Sequence, residues 1–94
     1  MKYIVDGKLL DTDKAELVLR YSESNMMLKR ECELYKTNNG GWYKVDISFS
    51  NQDYEINRTI NACKRIKEND AKEILERANC VNAYEKYFGK LEEA

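Results

Sequence analysis

The sequence predicts an α+β fold: an antiparallel sheet built from two β-hairpins, one helix between them, and two C-terminal helices. Three observations carry this. Alternating apolar stretches flank Asp6-Gly7 and Asn39-Gly40, and both dipeptides tolerate the positive φ of a type I′ hairpin turn. Ala15, Val18, Leu19 and Ser22 recur at three- and four-residue spacing, as do Ala71, Ile74, Leu75 and Ala78. With 94 residues, the expectation is one small domain spanning 1–94.

The first element, Lys2 to Leu10, joins two short apolar runs at Asp6-Gly7, which pairs Ile4 with Leu9 and Tyr3 with Leu10. A helix is then expected from the capping signals Asp11, Thr12 and Asp13. Asp13 and Glu16 have capping-box spacing, and Thr12 is an equally good N-cap. This helix should end near Ser22, before the loop-like Ser-Glu-Ser-Asn. Met26-Met27-Leu28 reads either as the lead into the next strand or as a buried loop.

Arg30 to Phe49 reads as a long hairpin. A two-residue turn at Asn39-Gly40 pairs Lys36 with Tyr43, Tyr35 with Lys44, Leu34 with Val45, Glu33 with Asp46 and Cys32 with Ile47. One face then carries Cys32, Leu34, Tyr43, Val45, Ile47 and Phe49. The other carries Glu31, Glu33, Tyr35, Thr37, Trp42, Lys44, Asp46 and Ser48. Slipping by one residue would set Leu34 opposite Lys44 and Cys32 opposite Asp46, mixing the faces, so the segregated register is preferred. A four-residue loop over Asn38 to Gly41 would leave that pairing unchanged.

Ser50 to Asp53 is polar and turn-like. Tyr54, Ile56, Arg58 and Ile60 alternate as a strand would, while Ile56, Ile60, Cys63 and Lys67 also fit a helical stripe. The expectation here is an irregular connection with a short strand around Cys63 to Ile66. Glu68 and Asp70 favour a helix start and Arg77 its end. After a break at Asn79 to Asn82, Asn82 and Glu85 suggest a capped second helix. Its Tyr84, Tyr87 and Phe88 face the core, and Gly89 is the C-cap.

Composition removes several function classes. Sixteen Lys+Arg against seventeen Asp+Glu give a formal charge of −1, without the basic excess of a general nucleic-acid binder. There is no histidine, hence neither the commonest general base nor the commonest metal ligand. Cys32, Cys63 and Cys80 lack C-x-x-C spacing and read as buried structural thiols in a reducing compartment. No metal site or cofactor is expected. The charge alternation from Lys2 onward reads as neither signal peptide nor membrane span, so the expected location is the cytoplasm.

Gly7, Asp11-Thr12-x-x-Ala15, Glu33-Leu34-Tyr35-Lys36-Thr37, a glycine turn and Trp42-Tyr43 together resemble a group of small bacterial proteins. The group is encoded by phages, plasmids and chromosomal mobile elements. Asp70-Ala71-Lys72-Glu73 with Tyr84 to Gly89 is similar to its C-terminal ending. Two departures stand out: the group's C-terminal tryptophan is Ile74 or Leu75 here, and its glycine-rich stretch is replaced by Ser50 to Ile60. Some members act as anti-CRISPR proteins. The resemblance implies a mobile-element origin and a role in the cytoplasm of a bacterial host.

The expected function is therefore a non-enzymatic, protein-binding inhibitor that occludes a host nuclease complex. Its expected site is the polar hairpin face: Trp42 and Tyr35 as aromatic anchors, with Glu31, Glu33, Lys44 and Asp46 around them. Trp42→Ala, or Glu33→Lys with Asp46→Lys, should then abolish binding and leave the fold intact. Arg58, Lys64, Arg65 and Lys67 form the local basic cluster that a nucleic-acid-binding regulator would use; a charge-protected edge strand explains them as well. A self-associating accessory protein is the remaining alternative.

Overall fold

The structure is a computed structural model. It describes residues 1–24, 29–52 and 55–94, and of these the side chains except at 24, 29, 48–52 and 55–61. Chain order is β1 (Lys2–Val5), β2 (Lys8–Asp11), β3 (Glu16–Ser24), β4 (Lys29–Lys36), β5 (Trp42–Gln52), β6 (Glu55–Ile66), α1 (Glu68–Arg77) and α2 (Val81–Phe88). β1 and β2 form a separate two-stranded hairpin, and β3-β4-β5-β6 form a four-stranded antiparallel meander. The Met26-Met27-Leu28 segment and residues Asp53 and Tyr54 lie outside the described residues.

The small hairpin has the expected register, Ile4 with Leu9 and Tyr3 with Leu10. Asp6 (φ 51°) and Gly7 (φ 74°) both take the left-handed conformation that a type I′ turn demands. Alternation sends Val5 and Leu10 inward, where they are buried, and leaves Ile4 and Leu9 facing out.

The helix expected after it is instead strand β3. The capping residues build the turn between β2 and β3. Asp13 N–H donates to Asp11 Oδ1 (3.0 Å), Lys14 and Ala15 N–H donate to the Asp11 carbonyl, and Thr12 Oγ1 accepts from the N-terminal amine (3.0 Å). A bulge between Leu17 and Leu19 interrupts the ladder with β4. Val18 and Leu19, adjacent in sequence, therefore both pack into the helix-side core. A bulge breaks period-2 alternation in the same way that a helical stripe does, which is why the pattern misleads.

The long hairpin is slipped by one residue from the face-segregated register. The observed pairs are Lys36 with Trp42, Tyr35 with Tyr43, Leu34 with Lys44, Glu33 with Val45, Cys32 with Asp46 and Glu31 with Ile47. The turn is the cause. Thr37 N–H donates to the Gly41 carbonyl (2.9 Å) and Gly40 N–H to the Thr37 carbonyl (3.0 Å). These bonds enclose a three-residue loop, Asn38-Asn39-Gly40. Gly40 (φ 83°) supplies the single left-handed residue, as in a type I turn followed by a G1 bulge. Gly41 N–H also reaches Thr37 Oγ1 (3.1 Å). A Cβ on Gly41 would lie 2.8 Å from Tyr43 Cε2, in a ring the core holds in place. Gly41→Ala should accordingly destabilise the domain by about 1–3 kcal/mol, read as a lower urea midpoint with unchanged slope.

Mixed faces are tolerated because both faces of the sheet are covered. On one side the small hairpin lays Val5 and Leu10 against Tyr35, Tyr43, Val45 and Ile47, with Tyr3, Ala15 and Cys63 at the margin. On the other, Leu34 and Trp42 pack against Ala71 and Leu75, with Tyr84, Tyr87 and Phe88 of α2 closing over them. The helices thus do not cover the Val45–Ile47 face, contrary to expectation.

β6 is one continuous strand paired along its length with β5, from Gln52–Glu55 to Trp42–Ile66. The expected irregular connection is absent, so the strand-like alternation of Ile56, Arg58 and Ile60 was the better guide. α1 and α2 follow as expected. Asn79 (φ 53°) ends α1, with Asn79 N–H bonded to the Glu76 carbonyl and Cys80 N–H to that of Leu75, a Schellman closure. Helix α2 starts directly after it from Cys80, so Asn82 lies inside the helix rather than capping it.

Candidate protein interaction surface

The six residues expected to form one partner-binding face are divided between the two sides of the sheet. Trp42, 4% exposed, lies beneath α2. Its ring meets Tyr87 edge-on (centroids 5.2 Å apart) and stacks on Phe88 (5.4 Å), with Lys36 Nζ 5.2 Å from its centroid. Trp42 is a core residue, not the exposed anchor expected of it. Tyr35 is buried on the opposite side, where its hydroxyl donates to Glu33 Oε1 (3.2 Å). Glu33, 3% exposed, also accepts from Arg20 Nε (2.9 Å). The slip of one residue replaces the expected Glu33–Asp46 opposition with Glu33 opposite Val45.

Lys44 and Asp46 belong to the helix-side face, in a polar network beyond the end of the aromatic core. Lys44 Nζ pairs with Glu23 Oε1 (2.9 Å) and approaches Asp46 Oδ1 (3.8 Å). Asp46 accepts the Cys32 thiol (3.3 Å) and faces Arg30 at 4.0 Å. Burial opposes the Lys44 charge, yet the Glu23 hydrogen bond and the Asp46 carboxylate hold its ammonium above the usual lysine range. Glu31 accepts from the Ser22 hydroxyl (3.0 Å). These groups satisfy one another's hydrogen-bonding capacity across three strands.

All three thiols are free. Burial, then the Asp46 hydrogen bond, pushes the Cys32 thiol up to about 11. The thiolate is the reactive form, so Cys32 should resist maleimide from pH 7 to 9 in the folded protein and label at once in urea. Mass spectrometry of the labelled chain reads this directly; rapid native labelling of Cys32 would contradict the packing.

The basic cluster is also dispersed. Lys64 pairs opposite Lys44 and Arg65 opposite Tyr43, which places these neighbours on opposite sheet faces. Lys67 sits at the start of α1, where its N–H donates to Asp70 Oδ2 (3.3 Å). Arg58 pairs with Phe49 in the ladder, and its side chain lies outside those described. Among the described residues no group of three or more Cys, Asp or Glu is placed to hold a metal ion, and no helix is long and apolar enough to cross a membrane.

What faces outward is different from what the sequence pointed to. Ile4 and Leu9, 84% and 63% exposed, form an apolar cross-strand pair on the outer side of the small hairpin. On the other side of the molecule, the α1–α2 elbow holds an open groove of about 170 Å³ lined by Leu75, Glu76, Cys80, Val81, Tyr84 and Leu91. Val81 and Leu91 are 44% and 43% exposed at its rim. Leu91 is drawn there because its N–H donates to Glu85 Oε2 (3.3 Å).

Charge is segregated as well. From Glu68 to the end the chain carries seven carboxylates against four bases, so the helical layer is acidic while the rest is slightly basic. Three of the four bases are engaged: Lys72 over the Phe88 ring (5.1 Å), Lys86 with Glu16 (2.6 Å) and Arg77 with Glu73 (4.0 Å). The Lys86 hydrogen bond holds the Glu16 carboxyl below its ordinary value and ties α2 to the sheet edge. The signal for this surface was present in Glu76, Glu92, Glu93 and the isolated Val81, but nothing local to those residues says that they converge.

The fold defines the chain as a small α+β protein with both sheet faces covered. No family model, curated protein or solved structure matches it.

Proposed function

We propose that this chain is a non-enzymatic, protein-binding inhibitor from a phage or other mobile element. In this reading it is an anti-CRISPR protein that acts in the bacterial cytoplasm by occluding a host nuclease complex. The resemblance of Glu33-Leu34-Tyr35-Lys36-Thr37, Trp42-Tyr43 and Tyr84 to Gly89 to that group supports the origin. The observation that carries the mechanism is the acidic helical layer with half-exposed Val81 and Leu91 set in it. Exposed carboxylates around an apolar patch suit a basic, nucleic-acid-binding surface, where they steer encounter and compete with the phosphate backbone. The docking face moves accordingly from the long hairpin to the helices that bury it.

The test is a DNA-cleavage assay with a panel of purified CRISPR nuclease complexes and the intact protein. Inhibition is expected for at least one complex. It should weaken as salt rises from 0.05 to 0.5 M, a range over which the Debye length falls from about 14 Å to about 4 Å. Reversing Glu76, Glu92 and Glu93 to lysine should weaken inhibition by roughly tenfold or more, since each of these positions is exposed and its loss leaves packing intact. Failure to inhibit any complex would remove the anti-CRISPR reading. Self-association through Ile4 and Leu9 is a second reading. Two side chains fall far short of the roughly 1,200 Å² of a stable interface, so that surface alone does not support a tight dimer.

A further inference from the structure

We propose that the groove at the α1–α2 elbow seats one large aliphatic side chain of a lysine- and arginine-rich segment of the partner protein. This rests on the protein-binding reading above and names the partner's chemistry.

The groove is open, with an apolar floor and an edge that mixes Val81 and Leu91 with Glu76 and Asn79. Leu75 at its base is fully buried, Tyr84 and Cys80 are half-buried walls, and Val81 and Leu91 stand at the edge. Its volume of about 170 Å³ is that of one large apolar side chain; an apolar cavity of ~150 Å³ takes up a benzene ring. An entering side chain would cover the exposed parts of Val81 and Leu91 together, surface that otherwise stays in water. The Schellman closure at Asn79 and Cys80 sets the turn between the helices that shapes it.

The surroundings select the occupant's charge. Glu76 lines the groove, and Glu92 and Glu93 follow Leu91 directly. Of the bases in this layer, Lys72, Arg77 and Lys86 are held by Phe88, Glu73 and Glu16, leaving Lys90 as the nearby base without such a contact among the described residues. An acidic segment or a nucleic acid would be repelled, whereas lysines and arginines beside the anchor would meet carboxylates. A second copy of this chain is a poor occupant. Its own run of matching composition, Lys64-Arg65-Ile66-Lys67, has Ile66 committed to the helix-side core.

The test uses a defined probe, the heptapeptide Lys-Arg-Lys-Leu-Lys-Arg-Lys, titrated into the ¹⁵N-labelled full chain. Amide shifts should concentrate at Leu75, Glu76, Cys80, Val81, Tyr84 and Leu91. Serine in place of the peptide leucine should weaken binding about tenfold, as should Val81→Asn or Leu91→Asn in the protein, neutral changes that leave the surrounding charge as it is. Both protein positions are exposed, so thermal unfolding should be unchanged. Equal binding of the serine peptide, or shifts spread over every carboxylate or centred on Ile4 and Leu9, would overturn the proposal. The two readings fail separately. Full inhibitory potency of Val81→Asn removes the groove and leaves the inhibitor; anchor-dependent seating without inhibition keeps the groove and removes the anti-CRISPR role.

Discussion

Trp42→Ala should cost about 3–5 kcal/mol of stability, a large part of the roughly 5–14 kcal/mol expected for a chain of this length. The substitution empties the space between the sheet and α2. It leaves Tyr87 and Phe88 without the ring they pack on and removes one of the two aromatic rings, Trp42 and Tyr87, that the Lys36 ammonium lies over. The thermal midpoint should fall by more than ~10 °C, and the helical signal should be lost with the rest if α2 depends on this contact. Trp42 is the only tryptophan, so its own emission tests the premise. The native spectrum should be blue-shifted and poorly quenched by acrylamide, and should become ordinary in urea. A variant as stable as the parent would place the ring at the surface after all. Loss of inhibition in Trp42→Ala would report loss of fold, not loss of an anchor.

Glu33→Lys should be comparably damaging, at about 3–5 kcal/mol. Its carboxylate bonds to the Arg20 guanidinium and the Tyr35 hydroxyl, so a lysine there would bury one cation beside another and remove the acceptor of the Tyr35–Glu33 bond. Glu33→Gln separates charge from hydrogen bonding. It keeps an acceptor for Tyr35 and loses the ion pair with Arg20, which is 71% exposed and can return to water. That change should cost about 1 kcal/mol. Equilibrium urea unfolding of the two variants side by side gives the comparison. Near-equal stability of Glu33→Lys and the parent would show that Glu33 faces solvent, as the face-segregated register had it.

These two results matter for function because they reassign residue types that ordinarily mark an interface. A tryptophan, a tyrosine and three carboxylates on one hairpin resemble a binding face. In this chain they hold together a three-layer packing, and the outward surface is made by the helices and by the far side of the small hairpin. A functional screen aimed at the hairpin would therefore return destabilised proteins. One aimed at Glu76, Val81, Leu91, Glu92 and Glu93 changes groups at the rim of the groove or in the tail beside it.

The sequence by itself determined the pieces governed by local chemistry. Asp6-Gly7 specified a type I′ turn and its register, because both residues must take positive φ. The Ala71–Ile74–Leu75 stripe and the Tyr84–Tyr87–Phe88 cluster specified two short helices with a common inner side. The absence of histidine and the scattered cysteines set the chemical repertoire. Tertiary structure decided three things that no window of sequence contains. A loop of three residues rather than two at Asn38-Asn39-Gly40 slipped the long hairpin by one, and a slip of one exchanges every face. The bulge at Leu17–Leu19 gave a strand the apolar spacing of a helix. Covering both faces of the sheet removed the cost that face segregation exists to avoid. Lys44 and Asp46 could then share a side with Leu34 and Trp42 because Glu23, Arg30 and Cys32 arrive from other strands to satisfy them. Register is chosen by what covers the sheet, and that covering comes from residues far away in the chain.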